Sequence, residues 1–307
     1  MENLLSMAFD NLSSYDGPKV RKGLRQVEGL LANICLSRKQ QPKQKDKDKD
    51  KDPFRDEDDD SASQQPASPK NLAELSEDPA FYEFFKLQEG FEWNVALRLV
   101  NTLDRLLAKG SDGQNDLLIM NSLDLIQGVL LLHPPSKTLF SREMYMNLLL
   151  DLLEPDFCPA IQSATLLTLV VALIDTPQNT RTFENLDGLL TVTSLFKSRS
   201  TSREVKLKLV EFLYFYLMPE VPSIPSATPR GNVPALLQRS PSKLAKAFST
   251  MSGPNGERRD SRSRADSDGA ETRSQEEKQG LLGRHLNSVE ELVKDLRQST
   301  PFGGVVC

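Results

Sequence analysis

Thr176 to Met218 reads TPQNTRTFENLDGLLTVTSLFKSRSTSREVKLKLVEFLYFYLM, and this stretch decides the fold. Thr176-Pro177 stops the preceding helix, and Asn179-Thr180-Arg181-Thr182-Phe183 reads as a short first helix. At Asp187-Gly188 the helix breaks, and Gly188 is expected to let it turn sharply into the next one. Leu186 to Phe196 supplies a medium apolar helix across that bend. Thr201-x-x-Glu204 is a capping-box pattern that opens a long helix, Glu204 to Met218, which Pro219 ends. Sliding the preceding residues forward by about 44 superposes a second copy with the same order. Leu139 then falls on Phe183, Leu152 on Phe196, Ile161 on Val205, Leu169 on Leu213 and Leu173 on Leu217. Asn94 to Leu132 reads as a looser, earlier copy. A period of ~40–47 residues with two or three helices per unit is the armadillo/HEAT signature. One such unit cannot bury its own apolar face, so about three must stack into a continuous core. An irregular helical bundle is the competing reading.

Working outward, helical periodicity starts at Asp78-Pro79, an N-cap followed by proline, and runs to Pro219. It breaks at Gly110 to Gly113, His133-Pro134-Pro135, Glu154-Pro155 and Thr176-Pro177. No useful length alternates with period two, so the fold class is all-α, with residues 78–219 as an armadillo-like helical repeat domain. Its core is expected to hold Leu152, Ile161, Leu166, Leu169, Leu173, Leu189, Val205, Leu209, Leu213 and Leu217. Residues 1–36 form an N-terminal helical hairpin, with apolar stripes Leu4-Leu5-Ala8-Leu12 and Leu24-Val27-Leu31-Ile34 on either side of Tyr15-Asp16-Gly17-Pro18. Residues 37–77, with Lys45 to Asp52 alternating in charge, are expected to be a disordered charged linker. Such chain cannot bury enough apolar area to offset roughly 1–2 kcal/mol of backbone entropy per residue. Residues 220–280 read as a second disordered linker rich in serine, proline and arginine. Residues 281–307 read as a C-terminal docking helix and tail, with the stripe Leu282, Leu286, Val289, Val293 and Leu296.

Composition narrows the function. Of 307 residues, 38 are basic and 43 acidic, a formal charge of −5, which disfavours nucleic acid as the general partner. Hydrophobic residues are 38 %, below the ~45–50 % usual for globular domains, in keeping with one modest core plus unfolded chain. Three cysteines and two histidines lack metal-ligand spacing, and no cofactor is implied. The longest apolar run, Leu166 to Ile174, is too short to span a membrane, and the chain opens without signal-peptide character, so a soluble intracellular protein is expected. Neither phosphate-cradling glycine motif occurs, nor the kinase H-R-D and D-F-G. A cysteine phosphatase needs arginine six positions after its cysteine. Gln41 follows Cys35 at that distance and Ala164 follows Cys158. His133 reads as a helix-terminal group and Cys158 as a buried inert thiol. Glu143, Asp151 and Glu154 read as a solvated helix face. The chain is not expected to be an enzyme.

Several segments carry a family resemblance. They are Leu131-Leu132-His133-Pro134-Pro135-Ser136, Phe140-Ser141-Arg142-Glu143-Met144, Cys158 to Ala164, and Asn179 through Ser198. Ser202-Arg203-Glu204-Val205-Lys206, Glu211 to Leu217, Leu281 to Leu286 and Ser299 to Gly304 continue it. The sequence resembles the fungal cell division control protein 14 family, a component of the septation initiation network. The missing cysteine–arginine motif separates it from the phosphatase of the same name. The resemblance implies a non-catalytic regulatory or scaffold partner of a germinal-centre-type protein kinase, acting at the spindle pole body in septum formation. It assigns no contact residues. A helical-repeat binder of nucleic acid or transport cargo is the alternative, although importin-like grooves need tryptophan arrays and this chain has Trp93 alone.

The residues themselves point to one candidate partner surface. Lys197, Arg199, Arg203, Lys206 and Lys208 crowd a stretch whose sole acid is Glu204. With Arg181 nearby and Phe196 as apolar anchor, they suit an acidic or phosphorylated segment. Ser68-Pro69, Ser240-Pro241 and Thr300-Pro301 are proline-directed phosphorylation patterns, and Arg258-Arg259-Asp260-Ser261 suits a basophilic kinase.

Overall fold

The computed structural model of the protein describes residues 1–36, 68–108, 113–220 and 272–289. In chain order its elements are α1 (Glu2–Leu12), α2 (Gly17–Cys35), α3 (Leu72–Glu77), α4 (Pro79–Gln88), α5 (Val95–Leu107) and α6 (Asp116–Leu132). A 3-10 helix (Pro134–Ser141) follows, then α7 (Glu143–Asp151), α8 (Pro159–Leu173), α9 (Pro177–Asn185), α10 (Gly188–Lys197), α11 (Arg203–Tyr216) and α12 (Gln275–Gly283). Among the described residues, extended pairing is limited to an isolated antiparallel bridge between Leu36 and Pro69, so the chain is all-α as expected. Proline sits in the first turn of α4, α8, α9 and the 3-10 helix, which is why these elements begin where they do.

Two layers form. α2 packs on α6, α6 on α8 and α8 on α11, a row of long helices. In the second layer α1 packs on α5, α5 on the 3-10 helix, and the 3-10 helix and α7 on α9. The three elements from Pro134 to Leu173 recur in order from Pro177 to Tyr216, about 44 residues on. The N-terminal hairpin is the first pair of this same stack. Gly23 permits its tight crossing, since a Cβ there would lie 2.9 Å from the Leu12 amide nitrogen. All ten expected core residues are buried.

Four local expectations are corrected. Residues 68–77, read as the end of the linker, are tied to α2: the Lys70 amide donates to the Cys35 carbonyl, and the Lys70 ammonium donates to the Ile34 carbonyl and pairs with Asp78. Asn71 then caps α3 in a reciprocal box with Glu74. At the α9–α10 corner Asp187, not Gly188, takes the left-handed backbone, at φ 56°. Gly188 is required by space, because a Cβ would run into the Phe183 ring. The cap of α11 is Ser202, whose hydroxyl accepts from the Val205 amide, while Thr201 donates to the Leu195 carbonyl. The C-terminal helix starts at Gln275, six residues before the expected start at Leu281, because Ser274 and Glu277 form a capping box there. Leu282, Leu286 and Val289 are buried as expected, whereas Val293 and Leu296 lie outside the described residues.

Candidate partner-binding surface

The basic stretch occupies the corner between α10 and α11. Ser198 and Ser200 hydroxyls share a 2.8 Å hydrogen bond and the Ser200 amide donates to Ser198, so the short loop is braced from within. With the Thr201 and Ser202 bonds, this leaves the Arg199 and Arg203 side chains exposed. Lys206 is half-buried, and Lys208 pairs with Glu211 at 2.8 Å. Among the described residues no carboxylate pairs with Arg199, Arg203 or Lys206. For Arg203 the position is electrostatically unfavourable for the helix itself. Arg203 is the first residue of α11, and a cation at a helix N-terminus opposes the macrodipole at a cost of about 0.3–1 kcal/mol. Helix stability therefore gives no reason for arginine there.

The other three sequence candidates are engaged. Lys197 is exposed, but its ammonium donates to the His285 carbonyl and so holds the chain beyond α12. Phe196 is half-buried and packs against the core. Arg181 does not join the corner. Its guanidinium lies 3.3 Å from Glu184 and pairs with Glu220 inside an ionic cluster. Glu184 also meets Arg273 at 3.3 Å and accepts from the Tyr216 hydroxyl at 2.7 Å. Glu220 meets Lys278 at 3.2 Å and accepts from the Arg273 amide at 2.9 Å. Lys278 donates to the Met218 carbonyl and stands over the Tyr216 ring. Burial, then the hydrogen bond to Glu184, pushes the Tyr216 hydroxyl well above its ordinary range. Burial lowers the Lys278 ammonium against the pull of Glu220. The cluster clamps α12 and its approach onto α9 and α11. Sequence inspection missed it because Arg181, Glu220, Arg273 and Lys278 are far apart in the chain.

Ser68 is exposed beside the Leu36–Pro69 bridge, while Ser240, Ser261 and Thr300 lie outside the described residues. His133 is buried at the end of α6, its Nδ1 2.8 Å from the Ser136 hydroxyl and its ring edge-on to Phe85. Burial lowers its pKa to about 4, which leaves it neutral. Cys158 is half-buried at the N-cap of α8, and Glu143, Asp151 and Glu154 are exposed. Among the described residues no group of His, Cys, Asp and Glu could hold a metal ion, and no helix is long and apolar enough to cross a membrane.

Comparison with known proteins places this geometry in context. The family model for "Cell division control protein 14, SIN component" matches residues 1–302. Cell division control protein 14 of Schizosaccharomyces pombe is 28 % identical over 232 residues, which covers 73 % of this chain and 82 % of that protein. No solved structure matches the chain.

Proposed function

The chain belongs to the Cell division control protein 14, SIN component, family, and from that premise we propose that it is a non-catalytic regulatory or scaffold subunit for a protein kinase of the septation initiation network. Family membership itself makes it a SIN component in cell division control. The step to a kinase-binding role rests on one observation: Arg199 and Arg203 are exposed and have no counter-ion among the described residues, and Arg203 opposes the dipole of the helix it opens. Arginines kept under those conditions suit bidentate recognition of carboxylates or phosphates on a partner. A rigid helical stack is a fitting platform for such an edge.

Affinity purification of the full chain from dividing cells tests the reading. A protein kinase should be recovered in stoichiometric amount. The double change Arg199→Glu and Arg203→Glu should lower that recovery about tenfold at low salt while helical content stays intact. Recovery of no kinase, or undiminished recovery with the double variant, refutes it.

A further inference from the structure

Helix α8 contains no charged residue from Pro159 to Leu173. A helix that is uncharged and largely apolar on every side belongs in an interior. Three sides of α8 are covered, by α6, by α11, and by the 3-10 helix and α9 beneath. The fourth side faces outward and carries Ala160, Ala164, Leu167, Val171 and Ile174 at helical spacing, with Leu167 43 % and Ile174 39 % exposed. On adjacent α11 the outward stripe is Arg203, Leu207, Val210 and Tyr214, with Leu207 60 % exposed. Single exposed leucines are ordinary, but outward apolar stripes on two helices that pack side by side mark an interaction site. This face ends at a charge. Arg203 lies one turn before Leu207 on the same stripe, with Arg199 and Lys206 beside it.

We propose that the outward face of α8 and α11 is a docking groove for an amphipathic helix of a protein partner, apolar along one side and acidic at one end. The proposal rests on the partner-binding reading above and specifies the chemistry of the partner. Leu167, Val171, Ile174, Leu207 and Val210 take its apolar side chains. Arg199, Arg203 and Lys206 take its acidic end, which fits because Glu204 is the sole acid between Lys197 and Lys208. The α8 stripe spans about 21 Å, the length of a four-turn helix. Burying the apolar face supplies affinity, and the basic end sets the direction of the bound helix and speeds encounter.

The test places a photo-reactive benzoylphenylalanine at Leu167 or Leu207 of the full chain in dividing cells, followed by irradiation and sequencing of the crosslinked peptides. Both positions should crosslink to one segment of one partner protein. That segment should carry apolar residues at helical spacing and at least two acidic residues at one end. Adding Arg203→Glu should cut the Leu207 crosslink at least about fivefold. Crosslinks to residues 290–307 or 221–271 of the same chain, to a second copy, to a segment lacking that pattern, or to nothing all overturn the groove. The two proposals fail separately. A kinase that co-purifies without crosslinking at either position overturns the groove alone. An acidic amphipathic segment from a protein that is not a kinase upholds the groove and overturns the kinase reading.

Discussion

The seams between successive units and the seam at the end of the stack are closed by different chemistry. Inside, neutral groups do most of the work. Asn179 donates to the Lys137 and Ala172 carbonyls at 2.7 Å each, Gln127 donates to Thr168, and Asn94 and His133 both meet the Ser136 hydroxyl. The exceptions are Lys137, whose ammonium donates to the Ile174 carbonyl, and Arg105, whose guanidinium donates to the Leu12 and Ser13 carbonyls. At the end, Arg181, Glu184, Glu220, Arg273 and Lys278 hold α12 by charge. An interior seam is shut off from water on both sides, so amides and hydroxyls that satisfy one another avoid the desolvation cost of ions. A terminal unit has no neighbour and needs a polar cap. The comparison teaches that the inner seams close chiefly by neutral hydrogen bonds, while the end seam closes by charge and is vulnerable to the loss of any one member of its cluster.

The largest expected effect tests whether both regions belong to one cooperative core. Leu169 on α8 and Leu213 on α11 are fully buried. Replacing either with alanine should cost roughly 2–5 kcal/mol in a denaturant titration. A much smaller loss for Leu213→Ala would mean that the last unit unfolds separately. Next comes the ionic end. Glu220→Gln leaves Arg181 and Lys278 without their shared carboxylate, where the Lys278 and Glu220 side chains are 5 % and 7 % exposed. It should cost about 3 kcal/mol, with amide exchange rising in α12 and unchanged in α8. Equal rises in both helices would erase the distinction between the seams. The smallest effect belongs to His133. Its pKa is lowered from 6.5 to about 4 by burial, so below 6.5 the unfolded chain binds the proton more readily than the folded one. Its stabilising effect is therefore present above pH 6.5 and lost as pH falls toward 4. Stability should drop by about 2 kcal/mol between pH 7 and pH 5. His133→Gln should flatten that drop, and an unchanged pH slope would place the titration elsewhere.

Much of the candidate surface could be read from the sequence, because its basic residues are neighbours in the chain. The assignment of Arg181 to it could not survive the fold, since the side chain reaches Glu220 and is consumed there. The capping error at α11 has a similar source. Thr201 and Ser202 both suit an N-cap by type, and the choice fell to Ser202 because Thr201 turns back to the Leu195 carbonyl. The start of α12 was readable, as Ser274-x-x-Glu277 has the pattern of a capping box, but the apolar stripe further on drew the boundary.

By itself the sequence determined the helices of the central stack, the proline-set starts of α4 and α8, the repeat of about 44 residues and the core positions. Each of these depends on groups three or four residues apart, or on one proline's missing N–H, and such constraints act within a single turn. Only the tertiary structure decided that the N-terminal hairpin joins the stack, that Gly188 is needed for the Phe183 ring, and that α8 keeps one apolar side outward. It alone brought Arg273 and Lys278 to Glu184 and Glu220. Those outcomes depend on which faces meet once helices pack, and residues that are dozens of positions apart become partners only when the layers have closed.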